Sequence, residues 1–361
     1  MNFFNSQIHI WYSLFKRELP WRNSRNPYYI WLSEIILQQT RIDQGLAYYN
    51  KFVEEFPEIS DLANASEDQV LKLWQGLGYY SRARNLHFTA SYIQKSLNGK
   101  FPETYSAIRS LKSIGDYTAA AIASISFSLE HPAIDGNVFR VLSRYFGISE
   151  PIDTSAGKKI FNQLAQELIK GSDPGMHNQA IMEFGAIQCT PKNPKCSECP
   201  IYEHCYAYAY KMINELPKKK TKIKQRDRYF NYIILCSKNY LWLQKRVGND
   251  IWRNLYEFPV IESEEKLELG MLLSQKNFQE KFKTDQIIIE NTSNWKIHIL
   301  SHQRIHYRFI RIFADHIPEP DGIIRVYKED IFNFAVPKLL ENYLTENIDS
   351  VFSYRKMHIS Y

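Results

Sequence analysis

Four of the five cysteines in this 361-residue chain fall inside CTPKNPKCSECPIYEHC, residues 189–205. The spacing is C-x6-C-x2-C-x5-C, through Cys189, Cys196, Cys199 and Cys205. Four thiolates can fill a tetrahedral zinc site or hold a [4Fe–4S] cluster. Zinc ribbons usually carry two C-x2-C knuckles, whereas this stretch has one, with Pro191, Pro194 and Pro200 compacting its turns. Iron–sulfur is therefore favoured and zinc is the alternative. Cys236, in the apolar run NYIILC, reads as an ordinary core residue. Cysteines used as ligands fit a reducing compartment.

Two carboxylates stand where acid–base chemistry could use them. Glu34, in WLSEIILQQT, lies between Trp31 and Leu32 on one side and Ile35 and Ile36 on the other. A carboxyl in such surroundings keeps its proton longer, which suits a general acid; the alternative is a Glu on a helix's wet face. Asp135, in IDGNVFRVL, would by itself mark a turn. It follows LKSIGDYTAAAIASI at 111–125, in which a tight turn at Gly115 precedes a helix opening with small residues. That is a helix-hairpin-helix pattern, whose backbone N–H groups can hold a DNA phosphate. Ala119, Ala120 and Ala123 could equally be close-packing positions in a helical bundle. Behind a phosphate-binding hairpin, a carboxylate facing a sugar's anomeric carbon can stabilise an oxocarbenium ion.

The elements that must position these groups divide the chain. Its length exceeds what one core usually serves, and 44% hydrophobic and 14% aromatic residues argue for globular domains. Residues 1–214 read as mainly helical: apolar residues recur at helical spacing from Pro27 to Phe56, and Ile160, Phe161, Leu164, Leu168 and Ile169 share one face. Residues 215–228 hold Lys218, Lys219, Lys220, Lys222, Lys224, Arg226 and Arg228 without an apolar face, an exposed basic linker. Residues 229–361 read as a smaller α+β domain. YFNYIILCSKNYLWLQKR suggests a hairpin turning at Lys238–Asn239, RIHYRFI alternates as a strand, and Val336, Leu339, Leu340, Tyr343 and Leu344 suggest a helix. A net charge of +6 favours an anionic partner without specifying one. The start, MNFFNSQIHIWYSLFKRELPW, carries no export signal, and the longest apolar run, AAAIASISFSL, is far short of the ~20 residues a bilayer needs. A cytoplasmic, nucleoid-associated protein without a membrane span is expected.

WLSEIILQQT, GLGYYSRARNLH, LKSIGDYTAAAIASI, IDGNVFRVL and the cysteine loop occur in the order in which they occur in the adenine DNA glycosylases of the MutY group, and over residues 1–205 the chain closely resembles that family. The resemblance implies an all-α helix-hairpin-helix glycosylase domain with a [4Fe–4S] loop at 189–205, then a Nudix-like (MutT-like) α+β domain. It implies that Glu34 protonates N7 of a flipped adenine, that Asp135 stabilises the sugar cation and that Asn137 orients Asp135. Gln39 and Tyr79 would wedge into the duplex, with Thr40 and Leu77 beside the opposing 8-oxoguanine, and Trp21 and Arg22 would wall the base pocket. Bifunctional relatives such as endonuclease III carry a lysine nucleophile where this chain has Tyr117, and a tyrosine cannot form a Schiff base. A monofunctional glycosylase is expected.

In the second domain, IWRNLYEFP at 251–259 resembles the family's W-x-x-L-W-E-F-P element, and HILSHQ at 298–303 its lesion-reading loop. The family's F-S-H is Leu300, Ser301, His302 here, so the aromatic is replaced while the polar pair stays; His298 also matches. No Glu-rich Nudix box follows Pro259, so this domain should read rather than cut. The implied partner is double-stranded DNA holding an 8-oxoguanine:A or G:A mispair, bound by a monomer. The cluster would stiffen a loop presenting Lys192 and Lys195 to phosphates. Two rivals are an endonuclease III-like lyase, opposed by Tyr117 and the second domain, and a redox-sensing DNA-binding protein, opposed by the pairing of Glu34 with Asp135.

Overall fold

The computed structural model describes residues 2–220, 225–235, 240–282, 288–313 and 322–352. The chain divides into two compact units: Met1–Ala65 with Arg84–Lys222, and Ser66–Ala83 with Ile223–Tyr361.

Helices run through the first part of the chain as α1 (Phe3–Phe15), α2 (Pro27–Leu37), α3 (Ile42–Glu55), α4 (Ile59–Asn64), α5 (Glu67–Leu73), α6 (Ser81–Ser96), α7 (Tyr105–Ser110), α8 (Asp116–Phe127), α9 (Gly136–Phe146), α10 (Ser155–Ile169), α11 (Pro174–Ile187) and α12 (Tyr206–Ala209). The helical periodicity from Pro27 to Phe56 becomes α2 and α3, separated where Gln39 turns left-handed at φ 56. One core of the helical unit joins Phe4, Ile8 and Trp11 of α1 to Val141 and Leu142 of α9, Phe161 of α10 and Phe184 of α11. On α10 the buried face runs through Phe161, Ala165 and Leu168, while Ile160 is exposed rather than part of it.

The 111–125 stretch forms the hairpin, with α7 and α8 joined by a short turn. Its left-handed residue is Ser113, at φ 62, and not Gly115, which adopts ordinary extended backbone and caps α8. Ala119, Ala120 and Ala123 are buried, so the close-packing reading holds together with the hairpin reading. Small side chains let α2 and α11 approach the helix that the turn aims.

In the second unit, strands β1 (Arg226–Leu235), β2 (Tyr240–Lys245), β3 (Tyr256–Glu257), β4 (Val260–Ser263), β5 (Ile288–Thr292), β6 (Lys296–Ile299), β7 (Gln303–Phe313) and β8 (Ile323–Tyr327) form two sheets, with helices α13 (Leu269–Leu273), α14 (Lys276–Phe282) and α15 (Lys338–Val351). One sheet has the order β4-β1-β7-β5 with β6 also on β7; the other is β3-β2-β8. The hairpin expected at Lys238–Asn239 is not a hairpin. β1 pairs in parallel with β7, from Arg226↔Gln303 to Leu235↔Ile312, while β2 pairs with β3 and β8 in the other sheet. From Phe230 to Leu235 every residue of β1 is buried, which suits a central strand in a sheet covered on both faces. Cys236 and the predicted turn lie outside the described residues.

The basic stretch is also not uniformly exposed. Lys218 and Lys220 use backbone groups to tie onto Ile152 and Asp153 of the helical unit. Arg226 and Arg228 belong to β1, and Arg228 is buried between Asp250 (2.7 Å) and Glu262 (2.6 Å). Two carboxylates balance a charge that could not otherwise leave water. Lys222 and Lys224 lie outside the described residues.

Candidate active site

Glu34, Tyr117, Asp135 and Asn137 line one open cleft of about 1220 Å³ in the helical unit, together with Trp21, Arg22, Gln39, Thr40 and Gly115. Two helix starts and one helix interior bring them there. Asn26 caps α2, whose Pro27 occupies the first turn, and the buried neighbours Trp31, Leu32, Ile35 and Ile36 leave Glu34 facing the cleft floor. Gly115 begins α8 and sets Tyr117 in its first turn. Asp135 is the N-cap of α9, so its carboxylate is fixed by the same bonds that start a helix.

Those bonds are specific. One carboxylate oxygen of Asp135 accepts from the backbone N–H of Asn137 (2.9 Å) and of Val138 (2.8 Å). The other accepts from the Asn137 amide at 2.6 Å. The Asn137 amide oxygen in turn accepts from Arg140 at 2.8 Å. Burial pushes the Asp135 carboxyl up, against the pull of these bonds and of the Arg140 charge.

Glu34 has no such support. Burial pushes its carboxyl up to about 7, opposed by a hydrogen bond with Tyr117 and assisted by the Asp135 charge. Burial and the two carboxylates push the Tyr117 phenol well above its ordinary value. Its hydroxyl oxygen also lies 3.3 Å from the Met182 sulfur. Two carboxylates of one cleft therefore differ: one holds a proton near neutrality, and the other has donors arranged for its ionised form.

Trp21 is buried edge-on against Tyr49 (4.9 Å), and Arg22 turns its guanidinium onto Glu183 at 2.6 Å. Arg17 adds a second guanidinium on the same carboxylate at 2.7 Å. Burial alone would raise Glu183, but Arg17 and Arg22 outweigh it and hold the carboxyl at about 2. Glu183 and Met182 were not singled out from the sequence. A signal existed in QAIMEFGA, where a charged residue stands among apolar ones as Glu34 does.

The cysteines sit together. Cys189, Cys196, Cys199 and Cys205 line one small apolar cavity with Val141, Phe184 and Ile201, and all four are free thiols. Burial pushes Cys199 up to about 12, reinforced by the other three cysteines. Four thiolates so placed need a cationic centre to hold them. Four cysteine sulfurs around one apolar cavity are the donor set that holds a [4Fe–4S] cluster. Arg144, itself buried, fixes the loop by donating to the Cys189 sulfur (3.4 Å), Thr190 O (2.8 Å), Pro191 O (3.1 Å) and Leu216 O (3.1 Å).

The remaining predicted residues belong to the second unit. Leu77 is buried and Tyr79 exposed in the GLGYY turn after α5, with Tyr79 left-handed at φ 46 between Gly78 and Tyr80. That segment is held by Asp68 to Lys245 (2.6 Å) and by Gln75 to the Val336 N–H (3.2 Å). Sequence order had placed it with the helices. Ser301 and His302 are exposed on the tight turn between β6 and β7, their Oγ and Nδ1 3.1 Å apart. His298, on β6, lies against Trp252 at 6.0 Å, and burial lowers its pKa.

Comparison with known proteins agrees with this geometry. Residues 32–170 match the helix-hairpin-helix superfamily of base excision DNA repair proteins, residues 189–205 the iron–sulfur binding domain of endonuclease III, and residues 231–346 the NUDIX domain. The adenine DNA glycosylase of Buchnera aphidicola subsp. Schizaphis graminum is 35% identical over 82% of this chain and 86% of its own length. The chain belongs to the adenine DNA glycosylase family. A second member, from Buchnera aphidicola subsp. Baizongia pistaciae, is 40% identical over 69% of this chain and 71% of its own. Among solved structures, a thermostable thymine-DNA glycosylase is 30% identical with a TM-score of 0.54, covering 57% of this chain and 95% of its own. Adenine DNA glycosylases are base excision repair hydrolases of N-glycosidic bonds, and their iron–sulfur loop is the one formed here by Cys189, Cys196, Cys199 and Cys205. Among the described residues no helix is long and apolar enough to cross a membrane.

Proposed function

We propose that this protein removes adenine mispaired with 8-oxoguanine or guanine in double-stranded DNA, leaving an abasic site and an uncut strand. The observation that carries the reading is the pair of unlike carboxylates in one cleft: Glu34, held near pKa 7 by burial, and Asp135, locked by three donated hydrogen bonds. Glu34 protonates N7 of the extruded adenine so that the base leaves neutral. Asp135, oriented by Asn137, stabilises the sugar cation left behind. General acid help is typically worth ~10²–10⁴-fold, so electrostatic stabilisation by Asp135 carries a comparable share.

Trp21 and Arg22 wall the base pocket, and the backbone at Gly115 holds a phosphate. Gln39 and Tyr79, both left-handed and exposed, wedge into the duplex and offset part of the few kcal/mol of lost stacking, with Thr40 and Leu77 beside the opposite base. Residues 1–214 carry out the excision, 215–225 connect, and the domain that starts with β1 at Arg226 reads 8-oxoguanine through Ser301, His302 and His298. The four cysteines hold a [4Fe–4S] cluster that braces the loop bearing Lys192 and Lys195. The protein acts as an intracellular monomer.

The test is a single-turnover incubation with duplexes containing 8-oxoguanine:A, G:A, T:A or thymine glycol:A, scored with and without alkali. Adenine release from the first two, with strands cut only after alkali, is expected. Cutting at thymine glycol without alkali would establish a lyase instead, and borohydride trapping would then be directed at Lys158 in the cleft wall.

A further inference from the structure

Tyr117 has one hydroxyl proton and two partners in reach. Its oxygen stands 3.3 Å from the Met182 sulfur, a distance suited to O–H···S, and it is also within hydrogen-bond reach of the Glu34 carboxyl. Met182 comes from α11, immediately before Glu183, and lines the same cleft. A thioether sulfur can only accept, whereas a phenol oxygen can donate once and accept as well. These rules tie the proton on Tyr117 to the proton on Glu34.

If Tyr117 donates to Met182, the Glu34–Tyr117 bond survives only with Glu34 as the donor, which requires the carboxylic acid. If Glu34 is a carboxylate it can only accept, so Tyr117 must turn its proton toward Glu34 and abandon the sulfur. The sulfur is satisfied in one protonation state and not in the other. We propose that Met182 is a positioning residue that draws the Tyr117 hydroxyl proton away from Glu34, so that Glu34 is the donor in their bond and remains loaded for proton transfer. The inference rests on the reading of Glu34 as the acid.

The proton count closes. Glu34 gives its proton to a ring nitrogen of the base, the electron pair of the C–N bond leaves with the base, and Glu34 becomes a carboxylate. Tyr117 keeps its proton and rotates it from sulfur to that carboxylate. Other charged or titratable groups on the cleft lining are Asp135 at the head of α9, which raises Glu34, Arg17 and Arg22, which are bound to Glu183 on α11, Asp116, which pairs with Arg109, and Arg41, Asp43, His131 and Lys158.

The experiment is the pH profile of single-turnover adenine release from an 8-oxoguanine:A duplex between pH 5 and 9. It compares the unsubstituted protein with Met182→Leu, which keeps volume and loses the acceptor, and Met182→Gln, which restores an acceptor through its carbonyl oxygen. For Met182→Leu the deficit should grow with pH, the alkaline limb moving down by about 0.5 to 1 pH unit, and Met182→Gln should recover most of that shift. A uniform loss at every pH, or superimposable profiles, would overturn the proposal and leave Met182 as packing. The infrared C=O band of protonated Glu34, assigned with Glu34→Gln and titrated without DNA, reads the same bias. It separates a wrong substrate from a wrong role for Met182: no adenine release with a Met182-dependent band refutes only the functional reading, whereas a band that titrates alike in both proteins refutes the proton bias.

Discussion

The Asn137 amide joins the two charges of the α9 start: its nitrogen donates to Asp135 at 2.6 Å while its oxygen accepts from Arg140 at 2.8 Å. The carboxylate that faces the cleft is thus aimed by a side chain that is itself aimed. Gly185 of α11 lies against this arrangement. A Cβ added there would come within 2.7 Å of the Asn137 Cβ and 2.9 Å of its carbonyl oxygen. Gly185→Ala should cost about 1–3 kcal/mol of stability by overpacking and reduce base release at least tenfold in the folded fraction. Denaturant titration and single-turnover rates on the same preparation separate the two effects. A variant that lost stability but kept its rate would show that the orientation of Asn137 does not matter.

The Glu34 proton makes stability depend on pH. Folded, the carboxyl keeps its proton up to about pH 7; an ordinary Glu releases it near 4.5. Folding therefore takes up a proton in that window, and the contribution of Glu34 turns unfavourable as pH rises through it. Glu34→Gln should abolish base release and raise stability by about 2 kcal/mol more at pH 8 than at pH 5, measured as denaturation midpoints against the unmodified protein. An equal effect at both pH values would mean that Glu34 titrates normally.

Arg144 is the hinge pin of the cysteine loop, donating to three carbonyl oxygens and to the Cys189 sulfur from a buried position. Arg144→Ala would leave those acceptors unpaired and should cost about 3 kcal/mol or more, with faster loss of iron on dilution into chelator. Iron content and visible absorbance over time are the readouts. Retention equal to that of the unmodified protein would assign the bracing to the prolines alone.

Ser301 and His302 stand exposed on the β6–β7 turn, and the Leu300 N–H bonds to Gln303 O at 2.8 Å to keep that turn tight. Ser301→Ala should lower the preference for 8-oxoguanine:A over G:A by about tenfold, the worth of one hydrogen bond, with little change on G:A itself. Competition between the two duplexes measures the ratio directly.

Sequence alone determined what depends on neighbours along the chain. The cysteine spacing, the apolar residues around Glu34, the Asp-Gly that starts a helix after the hairpin and the motifs of the family are each contained in one short stretch of chain, where short-range geometry follows residue type. Tertiary structure decided what depends on distant segments. The turn after α7 needs a left-handed residue, and packing gave that place to Ser113 although Gly115 carries the motif. β1 and β2 have the texture of a hairpin, yet β1 pairs with β4 and with β7, the latter nearly eighty positions on; burial on both faces selects a central strand, and no local pattern names its neighbours. Arg228 reads as a linker charge until Asp250 and Glu262 arrive to neutralise it. The proton on Glu34 is set by Tyr117 and Asp135, which meet it only because α2, α8 and α9 open onto one cleft, where reduced exposure to water makes each charge felt by the others.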